Sequence, residues 1–172
     1  MPRRLAPLVA ALLGLTACGP WGPQGIFAGG PFLGAAAAAW PGDWSFTDAH
    51  PLVAIETRDP LARYSVTILC VAAEGRLYVM ARHAPRKRWV RNVERDPRVR
   101  LRIGEALYEA RLERVDDDPA SAADSAAVAR AFLRKYVGLD APAARPLAGP
   151  PGPGDDHAEV WTWRVEPPEA RS

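Results

Sequence analysis

Five basic residues fall within the seven positions from 82 to 88: Arg82, His83, Arg86, Lys87 and Arg88. Pro85 stands among them, where a first helical residue can dispense with its N–H. Trp89, Val90 and Val93 follow at helical spacing, so the spacing predicts a helix that starts inside the basic cluster. The start of a helix carries free N–H groups and the positive end of its dipole, which oppose cations and favour anions. Guanidinium and ammonium groups gathered there can grip a phosphate through charge-assisted hydrogen bonds. Charge alone favours a solvated basic face.

The elements around the cluster must hold it in place. A short apolar run, Leu77 to Met80, leads into it. Asp96-Pro97 stops the helix, since the residue before a proline avoids the α region. Arg98 to Ile103 then alternates basic and apolar residues, the pattern of a half-buried strand. The unit is therefore strand, basic turn, short helix, strand.

The chain has 172 residues, enough for one domain with a core. Its formal net charge is only +2, which gives no reason to expect a nucleic-acid partner. The basic excess is local to residues 82–102. Arg3 and Arg4 precede an apolar stretch, Leu5 to Leu15, which is too short to span a bilayer. It ends in Leu15-Thr16-Ala17-Cys18, which resembles a bacterial lipobox. Residues 1–18 are thus expected to be a lipoprotein-type signal peptide, with Cys18 lipidated. The protein would be an exported lipoprotein of the cell envelope. Gly19 rather than Asp after the cysteine points to the periplasmic face of the outer membrane in a Gram-negative cell. Residues 19–42 are rich in Gly, Pro and Ala and read as a tether, with the domain over 43–167. Cys70 lies in an apolar run and reads as a small buried hydrophobe. No zinc-ligand spacing is present in the sequence, and no metal site is expected.

Strands are expected over Leu52–Thr57, Tyr64–Val71, Arg76–Met80, Arg98–Ile103, Ala106–Val115 and Val160–Val165. Ala73-Glu74-Gly75 and Gly104-Glu105 are tight turns. Asp118-Pro119 opens a second helix that runs to about Val137 and stops at Gly138. Residues 141–156, dense in Pro and Gly, read as a mobile loop. About six strands with interposed helices predict a small antiparallel barrel.

The ordered set Arg63-Tyr64-Ser65-Val66-Thr67-Ile68, Gly75-Arg76-Leu77-Tyr78, Arg86-Lys87 and Asp96-Pro97-Arg98-Val99 resembles the flavin-binding split β-barrel. That is the pyridoxamine 5'-phosphate oxidase-like group, with its relatives the deazaflavin-dependent nitroreductases. The closing Trp163-Arg164-Val165-Glu166-Pro167 resembles the group's last strand, so the likeness spans roughly residues 46–167. The resemblance implies a mainly β, six-stranded antiparallel split barrel. It also implies a homodimer with FMN or a deazaflavin at the subunit interface, acting on a small molecule. Arg86 and Lys87 would hold the cofactor phosphate. Arg63, Ser65 and Thr67 would line the flavin or its phosphate. Met80 and Ala81 would abut the ring by backbone. No Arg-x-His stands near the C-terminus, where true pyridoxamine phosphate oxidases hold substrate, and His50, His83 and His157 are scattered. No catalytic residue is therefore assigned. Two other functions fit the same residues. One is a binding module for another anionic ligand, such as haem or a nucleotide. The other is a structural envelope lipoprotein resting on anionic lipid.

Overall fold

The computed structural model describes residues 23, 28–33, 37–115, 122–138 and 160–169. Cys18 and the signal stretch, Asp118-Pro119, the 141–156 loop and His157 lie outside the described residues.

Six strands carry the fold: β1 Leu52–Arg58, β2 Arg63–Ala73, β3 Arg76–Arg82, β4 Arg98–Ile103, β5 Ala106–Arg114 and β6 Val160–Glu166. They close in the order β1-β2-β3-β6-β5-β4, with every neighbouring pair antiparallel. The expected six-stranded antiparallel barrel is the fold. Strand periodicity builds it directly. Ile55, Cys70, Leu77, Val79, Leu101, Ala110, Leu112 and Trp163 point inward from their strands and are buried together. The arginines of β4 alternate outward, as the sequence pattern requires.

Each end of the barrel is plugged by aromatic packing. The helix α1, Arg88–Arg95, lays Trp89, Val90 and Val93 over one end, with the Trp89 ring 5.0 Å from that of Trp163. Asn92 of the same helix is fully buried and donates from Nδ2 to Thr57 Oγ1 at 3.0 Å. At the other end Trp44 packs edge-on against Tyr108 at 5.1 Å and donates its N–H to the Gly75 carbonyl. That carbonyl belongs to a turn in which Glu74 and Gly75 both have positive φ, 52° and 75°. This is the backbone of a tight hairpin, and it suits glycine.

A second helix, α2, Ala122–Phe132, covers the outside of β2 and β3. Val128 and Ala131 pack with Val71, Tyr78 and Met80. It passes into a π-turn, Leu133–Val137, and ends at Gly138 with φ 70°. The wide turn lets two successive side chains reach one strand residue. Lys135 Nζ donates to the Cys70 carbonyl at 2.9 Å, and the Tyr136 hydroxyl lies 2.8 Å from the same oxygen.

The structure differs from the sequence reading at one boundary near the cluster. Pro85 does not begin the helix. It sits in a separate 3-10 turn, Ala84–Arg86, and extended Lys87 (ψ 130°) interrupts the path before α1 begins at Arg88. Part of the 19–42 stretch is laid against the barrel. Gly29 bridges to Ser65, Ala37 bridges to Leu107, and Trp40 packs edge-on to Trp44 at 5.1 Å.

Candidate functional site

The site is built where β3 ends. Met80 and Ala81 are both buried and locked in the sheet. Met80 stands in register with Leu69 and Thr162, and Ala81 with Trp161. The Met80 side chain lies under α2, and that of Ala81 lies in the barrel interior. His83 then adopts a left-handed conformation, φ 52° and ψ 44°, which turns the chain out of the sheet. Ala84 is buried and anchors the turn from below. The amides of Arg86 and Lys87 donate to the carbonyls of His83 and Ala84, each at 3.0 Å. Arg91, which the sequence reading passed over, braces the turn from α1 by donating to the carbonyls of Pro85 and Arg86.

The cations of the cluster divide into two sets. Arg88 turns away, bonds Asp59 Oδ2 at 2.8 Å and lies over the Tyr64 ring. That hydrogen bond holds the Asp59 carboxyl below the usual carboxylate range. Arg82, Arg86 and Lys87 are exposed, and among the described residues their side chains have no hydrogen bond or ion pair. Lys87 stands at the N-cap of α1 with no side-chain cap and no acidic residue in the first turn. Cations left unpaired at such a position suit an anionic ligand.

Arg63, Ser65 and Thr67 share the outer face of β2. Pairing between β2 and β3 runs from Ala73↔Arg76 to Leu69↔Met80, so the first residues of β2 extend past it. Thr67 is half-buried, and its hydroxyl has no hydrogen bond among the described residues. Arg63 gives Nη1 to Glu56 Oε1 at 2.7 Å. The Ser65 hydroxyl donates to the Gly30 carbonyl at 2.7 Å, and its main chain pairs both ways with Gly29.

Two residues here escaped the sequence reading. Glu56 is fully buried, held by Arg63, by a fork from Arg100 and by the Phe32 N–H. Phe32 is buried beside it, its ring 4.2 Å from the Arg102 guanidinium. The only available signal was an acidic residue among the apolar residues of β1, facing arginines on both neighbouring strands.

Tested against a flavin phosphate, the basic turn fits: it offers uncommitted Arg86 and Lys87 on a braced loop, with Arg82 at the end of β3. The Ser65 end of the face is already used by the chain's own Gly29 and Gly30.

The fold is a split β-barrel. A conserved hypothetical protein of Mycobacterium tuberculosis superposes with a TM-score of 0.51 at 16% identity, over 69% of this chain and 74% of that one. A FAD-binding protein of Mesorhizobium loti gives 0.47 at 12%, over 69% of this chain and 80% of that one. The haem storage protein HutZ of Vibrio cholerae gives 0.45 at 17%, over 73% and 87%. At these identities the likeness concerns the fold alone. No protein-family model matches the chain, and comparison with curated proteins finds no match.

Proposed function

We propose that this chain is a membrane-tethered flavin-binding protein. Arg86 and Lys87 take the phosphate of FMN or a deazaflavin, and the bound flavin passes electrons to a small oxidised molecule. The observation that carries the reading is the set Arg82, Arg86 and Lys87. Arg86 and Lys87 lie on a braced turn and Arg82 ends β3 just before it, all three exposed and without a carboxylate partner among the described residues. Mutual repulsion and the dipole of α1 both disfavour that arrangement until an anion arrives. The motif order that resembles the pyridoxamine 5'-phosphate oxidase-like group says which anion. The flavin supplies the redox chemistry when bound, and the protein supplies grip and orientation. His83 holds the turn away from the sheet, and Arg91 keeps its carbonyls fixed, so the phosphate meets a preformed site.

The tether is the lipidated Cys18, which places the domain in the cell envelope. The soluble domain pairs as a homodimer, and sedimentation at micromolar concentration should show twice the monomer mass.

The direct test compares FMN with riboflavin, which carries the same ring and no phosphate. FMN should quench on titration into the full chain. Riboflavin should bind weaker by about two decades or more, because charge-assisted hydrogen bonds are worth roughly 1.5–3 kcal/mol each. Equal affinity for the two would overturn the phosphate assignment. Absence of binding by either would overturn FMN as the ligand and leave a deazaflavin or a non-flavin anion for the turn.

A further inference from the structure

The face that should receive the flavin ring already holds a piece of the chain. The first residues of β2 run past the end of their pairing with β3, and an uncovered strand edge takes up extended backbone readily. Gly29 occupies it. Its N–H donates to the Ser65 carbonyl at 2.9 Å and its carbonyl accepts from the Ser65 N–H at 3.0 Å. The Ser65 hydroxyl takes the next carbonyl, that of Gly30. Two residues on, Phe32 donates its N–H to buried Glu56 and accepts from Arg100 Nη2 at 3.1 Å.

We infer that residues 29–32 are a built-in occupant of this face and compete with the ligand for the Ser65 edge, so that binding releases them. The inference rests on the flavin reading. Its reasons lie in the local geometry. Gly29 makes a single isolated bridge, whereas β1 meets β2 through seven consecutive pairs, so the backbone hold on the Ser65 edge is lighter than a true strand's. Its polar contacts are mostly main-chain groups, which water can replace once it lifts. The Ser65 N–H is already given to the Gly29 carbonyl, so it cannot serve Gly29 and a ring at once. Because the segment joins the domain to the N-terminal stretch, its release couples ligand binding to the path of the tether.

Two measurements on the full chain test this, with FMN as the probe. In hydrogen exchange, the Phe32 amide should be protected without FMN and lose that protection at saturating FMN. In titration, Phe32→Ala should bind FMN about tenfold more tightly than wild type, because apparent affinity is diluted by the fraction of molecules whose site is open. Gly29→Pro removes the donor to Ser65 without touching the buried Phe32, and should shift affinity in the same direction. Equal affinity in all three chains, with Phe32 still protected in the complex, would overturn the competition and leave the flavin reading standing. Failure of all three to bind FMN would overturn FMN as the ligand, and the competition with it.

Discussion

Arg100 forks onto Glu56, with Nε 2.8 Å from one carboxylate oxygen and Nη2 2.6 Å from the other. The pair joins adjacent strands β1 and β4 on the outside of the barrel, at the register step Glu56↔Arg100. Glu56 is wholly buried, while the side chains of its partners Arg63 and Arg100 remain 42% and 22% exposed. Glu56→Ala should therefore cost about 2–3 kcal/mol, somewhat below the roughly 3–5 kcal/mol for breaking a fully buried pair, because both arginines can regain water. Urea unfolding of the two chains measures the difference. A loss under about 0.5 kcal/mol would mean that the cluster is worth no more than an exposed pair.

Tyr136 gives the fold a dependence on alkaline pH. Burial, its largest cause, pushes the phenol from 10.0 up to about 12. The folded state thus favours the neutral form. The stability this gives is complete below pH 10 and disappears as pH rises from 10 to 12. Tyr136→Phe should be less stable at pH 8, having lost the contacts to Pro51 and Cys70. It should also lose less stability than wild type between pH 10 and 12. Urea midpoints across that range check it, and parallel curves would contradict it.

Much of the barrel was legible in the sequence, because strands half inside a barrel alternate and Gly75 and Gly104 punctuate them. The two apolar faces of β5 and β6 read correctly for the same reason. The basic turn was legible as an anion site from residue type alone, but its backbone was not: Pro85 suits a 3-10 turn as well as an α-helix start. Glu56 was legible only as an acidic residue among apolar ones, and Phe32 not at all. Their partners lie 24 and 44 positions apart in sequence, and only closure of the barrel brings them together. The Gly-Pro-Ala composition of residues 19–42 speaks of a spacer and carries no trace of the Gly29–Ser65 bridge.

The proposed tether depends on one atom. The Cys18 thiol is the only acyl acceptor in the lipobox-like stretch, so Cys18→Ala should move the protein from the detergent phase to the aqueous phase on partition. A single acyl chain anchors only marginally, and diacylation anchors firmly, so the shift should be nearly complete. Unchanged partition would refute the lipid anchor.

The proposed role of the basic turn is to hold a flavin phosphate. Its most direct measurement is flavin-fluorescence titration of FMN into wild type and the Arg86→Ala/Lys87→Ala double variant, with thermal melts alongside. Two charge-assisted hydrogen bonds at roughly 1.5–3 kcal/mol each predict a loss of about two to four decades in affinity. The melting temperature should hold or rise, because the variant relieves cations that lack a partner. Wild-type binding of FMN matched by the double variant would contradict the account.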